Sequence, residues 1–114
     1  MKKLSLLLAA LLILSSIVAC AEWETFKSSD GMYEYTKDGV ITAYYGDEFA
    51  FFPAEIDGTK INEIGVMACI DLGLEAISVA EGIELINTNA FEGCNAESAY
   101  IPSSVKNIGE RAFA

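Results

Sequence analysis

The second half of the chain repeats one phrase every 22 residues, and this period constrains the fold more than any other feature. Ile64, Ile86 and Ile108 stand 22 positions apart, and three further columns keep that spacing. These columns are Ile61, Ile83 and Val105; Ala68, Ala90 and Ala112; and Cys69, Phe91 and Phe113. Such a period predicts a solenoid, because one coil cannot bury its apolar side alone, whereas stacked coils form continuous buried columns.

Within each coil, the alternation of side chains predicts a short strand, followed by a turn and a compact helical or 3₁₀ segment. Because successive side chains of a strand point to opposite faces, Ile77 and Val79 of "LEAISVA" are expected to point inward. In "AESAYIP", the same alternation places Ala99 and Ile101 inward and Tyr100 outward. The predicted core is made of Ile64, Ala68, Ile77, Val79, Ile86, Ala90, Phe91, Ile101, Ile108 and Phe113.

Residues 1–21 have the layout of a secretory signal peptide, with two lysines, an apolar run and small residues near the end. The stretch "IVAC" resembles a bacterial lipobox, which would make Cys20 the lipidated first residue of a surface lipoprotein. The stretch "ACA" before Glu22 also fits ordinary signal peptidase, which would release a secreted protein. An uncleaved anchor is the third alternative, so export is expected and membrane contact is limited to a lipid or this segment.

Between the signal and the repeats, we expect a linker over residues 22–31 and a β-hairpin with a first strand over residues 32–58. In "MYEYTKDGVITAYYG", the Asp38-Gly39 pair favours a hairpin with a type I′ turn. The strand in "DEFAFFPAEIDG" should end at Pro53, with a turn at Asp57-Gly58. The coils are then expected from 59 to 114, with the last one incomplete.

Three segments carry a specific family resemblance. The stretches "IPSSVKNIGERAF", "GIELINTNAFEGC" and "GTKINEIGVMAC" resemble the I-P-x-x-V-x-x-I-G-x-x-A-F-x-x-C phrase of BspA-like bacterial leucine-rich repeats. The chain departs from that phrase at Ala80, Asn87 and Cys69, which replace a proline, a glycine and a phenylalanine. The resemblance implies a mostly-β (α+β) repeat solenoid behind an N-terminal hairpin, and a non-catalytic role in adhesion or protein–protein contact outside the bacterial cell.

The composition argues against an enzyme. The chain has no histidine, so neither a Ser-His-Asp triad nor a Cys-His dyad can form. Acid pairs such as Asp47-Glu48 are expected to be solvated loop residues, and neither calcium-loop nor C-x-x-C spacing occurs, so no metal or cofactor is expected. Cys69 and Cys94 fall in core columns, where they are either free thiols or a disulfide.

The net charge and the predicted outward aromatic residues limit which kinds of partner the chain could bind. After the signal, five basic residues stand against 17 acids, a net charge of −12, which repels nucleic acid. If "FAFFP" is the first strand of the same sheet, the outward residues Phe51, Ser78, Ser98 and Tyr100 form a candidate face for a protein or surface ligand. The alternative for Phe51 is packing under the tyrosines of the hairpin.

The third coil, which contains Ile108 and Phe113, has a neighbour on one side only. An uncovered apolar end of this kind predicts self-association through the C-terminal end. The alternative is that the chain is the N-terminal fragment of a longer leucine-rich-repeat surface protein and has no activity of its own.

Overall fold

The computed structural model describes residues 24–114, and this part of the chain folds into eleven β-strands without a helix. The strands are β1 (Thr25–Lys27), β2 (Tyr33–Thr36), β3 (Val40–Tyr44), β4 (Phe49–Phe52), β5 (Glu55–Ile56), β6 (Thr59–Lys60), β7 (Glu63–Ile64), β8 (Ala76–Val79), β9 (Leu85–Ile86), β10 (Ser98–Tyr100) and β11 (Asn107–Ile108).

Each coil has three sides, and all three are held to the next coil by backbone hydrogen bonds. The long strands form a parallel sheet in the order β10-β8-β4, and the short strands continue a six-stranded sheet in the order β1-β2-β3-β7-β9-β11. On the third side, the Cys69 amide donates to the Ala90 carbonyl at 2.8 Å, and the Phe91 amide donates to the Ala112 carbonyl at 2.7 Å.

These bonds explain why the helical or 3₁₀ segment predicted for each coil is wrong. Residues 66–71, 88–93 and 110–113 form turns instead. In the first two of these turns, every second amide donates to a carbonyl of the adjacent coil, as at Met67, Cys69 and Asp71, and cannot also support a continuous local helix. The solenoid is therefore mostly β.

The turn segments repeat an unusual backbone conformation at the same period as the sequence. Met67, Asn89 and Arg111, which are 22 residues apart, all have positive φ angles, of 56°, 59° and 58°. Asp71 and Gly93, another pair 22 residues apart, also have positive φ angles. The left-handed region is uncommon for residues other than glycine and asparagine, so Met67 and Arg111 adopt it because the coil requires it.

The hairpin of β2 and β3 covers the first coil, but its turn differs from the prediction. Gly39 has a φ of 92°, whereas Asp38 is not in the left-handed region, so the turn is not type I′. The close approach of the Lys60 carbonyl, which a Cβ at position 39 would strike, gives Gly39 a second reason to be glycine. The expected type I′ pattern occurs instead at Asp57-Gly58, where both φ angles are positive, between β5 and β6.

Two segment boundaries in the structure differ from those predicted from the sequence. The segment 22–31, expected to be a linker, contains β1, which pairs antiparallel with β2. The ring of Phe26 in β1 lies 5.9 Å from that of Tyr35, so the pairing is supported by a cross-strand aromatic contact. The parallel sheet begins at Phe49 in β4, so the first coil starts before residue 59.

A row of aromatic rings runs through the core from the hairpin to the last coil. The Tyr44 ring lies 5.3 Å from that of Phe52, and the Phe52 ring lies 5.3 Å from that of Phe91 in an edge-to-face arrangement. The row ends at Phe113, which stacks on Phe91. Offset and edge-to-face contacts of this kind add stability beyond the burial of area.

The interior holds seven of the ten predicted core residues. Ile64, Ala68, Ile77, Val79, Ile86, Ala90 and Phe91 are buried, and Ile101 is partly buried against the core. The expectation is wrong for Ile108 and Phe113, which are 51% and 40% exposed, and Ala99 is exposed as well. The reason is geometric, since in the described part of the chain their coil packs against another coil on one side only.

Candidate binding face on the parallel sheet

Six side chains of the β4-β8-β10 sheet lie on its outward side, and we call this surface the aromatic face. Because parallel neighbours pair in register, Phe51, Ser78 and Tyr100 lie side by side at one level of the sheet. The members of the aromatic face are Phe49, Phe51, Ala76, Ser78, Ser98 and Tyr100. The structure thus brings together the four residues that the sequence proposed and adds Phe49 and Ala76.

The three rings of this face are open to solvent. Phe49 is 61% exposed, Phe51 50% and Tyr100 63%. The central strand contributes only small outward side chains, Ala76 and Ser78, so a shallow depression of about 410 Å³ lies between the rings. Exposed aromatic rings around a floor of small residues offer a ligand apolar contact area at little entropic cost.

The hairpin holds the edge strand β4 without covering its outward rings. The Tyr33 hydroxyl donates a hydrogen bond to the carbonyl oxygen of Phe51, while the Tyr33 ring packs on the inward Phe52 at 6.3 Å. Ala50 and Phe52 are buried, whereas Phe49 and Phe51, which alternate with them along β4, are exposed. The alternative that Phe51 packs under the hairpin is therefore wrong.

A second depression, of about 470 Å³, lies where the hairpin strand β3 meets β7 in the six-stranded sheet. Its lining residues are Thr36, Asp38, Val40, Thr42, Glu63, Gly65, Val66 and Asn87. The Thr42 hydroxyl is buried and has no hydrogen-bond partner within residues 24–114. Sequence reasoning missed this place, because no motif or repeat column includes these residues together.

The two cysteines lie in the core and are free thiols. The Cys94 thiol donates to the carbonyl oxygen of Cys69 at 2.9 Å. Burial raises the pKa of the Cys69 thiol far above its ordinary value, with a further contribution from Cys94, and burial also raises the pKa of Cys94. A buried thiol of raised pKa is a poor nucleophile, so these residues act as small apolar groups.

The described residues offer no cluster of three or more His, Cys, Asp or Glu side chains that could hold a metal ion. Residues 24–114 also contain no helix of the length and hydropathy needed to cross a bilayer. The predicted signal peptide and the predicted lipidation site Cys20 lie outside the described part of the chain.

Comparison with known proteins agrees with the repeat architecture. A family model described as BspA type leucine rich repeat region matches residues 48–114 in six copies. This match begins next to β4, where the parallel sheet starts. No curated protein shows significant similarity to the sequence.

Two solved structures share the fold. A leucine-rich repeat protein from Bacteroides capillosus is 23% identical with a TM-score of 0.68, and the match covers 79% of this chain and 74% of that one. A T. pallidum leucine rich repeat protein is 25% identical with a TM-score of 0.59, and the match covers 75% of this chain. This chain spans only 39% of the length of the T. pallidum protein.

Proposed function

Because the chain belongs to the BspA-type leucine-rich-repeat family, whose repeats form protein-binding modules, we propose that it is a non-catalytic, exported module that binds a protein ligand on the aromatic face. The observation that supports this proposal is the group of three exposed rings, Phe49, Phe51 and Tyr100, on one rigid parallel sheet. Large aromatic side chains that lie free on a fixed scaffold are typical of the centres of protein interfaces.

The location at the cell surface or in the secreted fraction is part of the same proposal. It is supported by the signal-peptide layout of residues 1–21 and by the lipobox-like stretch that ends at Cys20. If Cys20 carries lipid, the acylated cysteine anchors the module to a membrane, where binding through the aromatic face would attach the cell to its ligand. Intact-mass analysis of the membrane fraction distinguishes the alternatives, since a lipid-modified Cys20 supports anchoring and a mature chain that begins at Glu22 contradicts it.

Binding through the aromatic face can be tested with peptides displayed on phage. We would select peptides from a random twelve-residue library on the immobilised protein. We would then measure their binding to the variant Phe49→Ala/Phe51→Ala/Tyr100→Ala. The matched control is Tyr45→Ala/Val66→Ala/Met67→Ala, which removes three exposed apolar side chains elsewhere.

We expect the selected peptides to lose at least about tenfold in affinity for the face variant, because truncation of central aromatic anchors costs more than 1 kcal/mol each. They should bind the control variant as they bind the unmodified protein. Equal binding to both variants would contradict the proposal. Circular dichroism establishes that both variants are folded.

A further inference from the structure

A row of glutamates borders the aromatic face. Glu48, Glu75 and Glu97 each immediately precede a strand of the β4-β8-β10 sheet, and all three are exposed. The Glu75 amide donates to the Glu48 carbonyl at 2.7 Å, and the Glu97 amide donates to the Glu75 carbonyl at 2.9 Å. Because neighbouring parallel strands lie about 4.8 Å apart, the backbones of the three glutamates follow one another at that spacing next to Phe49, Ala76 and Ser98, and we call this row the glutamate ladder.

No cation of the described chain compensates this ladder. The depression of the aromatic face has neither lysine nor arginine in its lining. Arg111 pairs with Glu92 at 2.6 Å, and the Lys27 ammonium lies 4.7 Å from the centre of the Tyr45 ring. The remaining lysines of residues 24–114 lie in the hairpin turn, in β6 and beside β11, which are other parts of the fold.

Three like charges on adjacent strands favour a ligand that brings opposite charge. The rings beside them favour the same ligand, because a lysine or arginine head group is attracted to an aromatic face and its aliphatic stem packs on apolar surface. A neutral or acidic ligand would cover the rings but leave the carboxylates without partners. The charge and the aromatic surface therefore favour the same kind of ligand, one that carries lysine or arginine side chains.

We infer that the ligand of the aromatic face is a lysine- or arginine-rich polypeptide segment whose basic side chains reach the ladder formed by Glu48, Glu75 and Glu97. This inference rests on the proposed function, and it names the partner that the face would take. A polypeptide fits better than a single amine, because a chain can place several cations along the ladder while its backbone spans the depression between the rings.

The inference is tested by fluorescence anisotropy with labelled ten-residue peptides that alternate threonine with lysine, glutamine or glutamate. The ladder variant is Glu48→Gln/Glu75→Gln/Glu97→Gln. The matched control, Glu55→Gln/Glu84→Gln/Glu110→Gln, changes the net charge equally at exposed acids outside the aromatic face. We expect the lysine peptide to bind the unmodified protein and to bind the ladder variant about tenfold more weakly, with a change of less than about twofold in the control.

Several results would overturn the inference. These are equal weakening by the two glutamine variants, binding of the glutamine peptide as tight as that of the lysine peptide, or displacement of the lysine peptide by spermidine at equal charge concentration. Phage-selected peptides that need the rings but not the ladder would overturn the inference while the proposed function stands. Peptides that need neither would overturn the proposed function itself.

Discussion

The ring of Phe91 stacks on that of Phe113, with centroids 5.2 Å apart and planes inclined by 14°. Phe91 also meets Phe52 edge-to-face on its other side, so its ring joins three successive coils. Of these three rings, Phe52 and Phe91 are buried and Phe113 is exposed. The packing of these coils against one another therefore depends on the side chain of Phe91 more than on that of Phe52 or Phe113.

We expect Phe91→Ala to lower the free energy of unfolding by about 3–5 kcal/mol, because it leaves a cavity and removes two aromatic contacts. Urea denaturation followed by circular dichroism measures this change. The control is Phe49→Ala, which truncates an exposed ring and should change stability by less than about 0.5 kcal/mol. A Phe91→Ala midpoint equal to that of the control would contradict the packing described here.

The repeat period was sufficient to predict the stacking of coils, because buried columns at a fixed offset have few other solutions. The same reasoning placed Phe51, Ser78 and Tyr100 at one level of the sheet, as strand alternation requires. It failed for the third side of the coil. Apolar spacing in a short segment does not distinguish a helical turn from turns whose amides bond to the adjacent coil.

Two further features of the structure could not be predicted from the residue types alone. Met67 has no propensity for the left-handed region, so only its position opposite Asn89 in the repeat gives a signal for its positive φ. The row of glutamates beside the aromatic face was also missed, since single acids before each strand look like ordinary surface charge. Their proximity depends on the register of the parallel strands.

The left-handed conformation of Met67 predicts a stabilising substitution. Met67→Asn should raise the free energy of unfolding by about 0.5–1 kcal/mol, because asparagine adopts a φ near 56° at lower cost than methionine. The control is Val66→Asn, an equally exposed apolar neighbour that is not in the left-handed region. The measurement is the urea midpoint of each variant. A Met67→Asn midpoint no higher than that of Val66→Asn would show that the coil does not strain this residue.

Alkaline conditions should destabilise the hairpin end of the solenoid. Burial, together with the nearby Tyr44 and Asp30, raises the pKa of Tyr33 to about 12, and burial also raises the pKa of Tyr44. A tyrosine in the unfolded chain ionises near pH 10, so the unfolded state loses its proton first. The stability contributed by Tyr33 is therefore complete below about pH 10 and is lost as the pH rises from about 10 to about 12, and Tyr44 contributes in the same direction.

Urea midpoints between pH 8 and pH 11 measure this loss. Tyr33→Phe should be less stable at neutral pH by about 1 kcal/mol, because it loses the hydrogen bond to Phe51, but its stability should fall less steeply above pH 10. Tyr100→Phe, a change on the exposed face, serves as the control. Identical alkaline slopes in Tyr33→Phe and the unmodified protein would contradict the assignment.

The surface of the last described coil should make the 114-residue chain associate with itself. Ile108 and Phe113 are exposed there, Ile101 is only partly buried, and β10 and β11 each pair with a strand on one side only within residues 24–114. Unpaired strand edges beside apolar side chains favour contact with another chain, so we expect light scattering to show a mean mass that rises with protein concentration. Ile108→Lys should restore a monomer, because a charge on the exposed edge opposes such pairing, whereas Val66→Lys, at an exposed apolar site elsewhere, should not.

Hydrogen exchange gives a second measurement, in which the amide of Ile108 should exchange faster than that of Ile86 in the monomeric variant. A concentration-independent monomer of the unmodified protein, with Ile108 and Ile86 equally protected, would contradict this prediction.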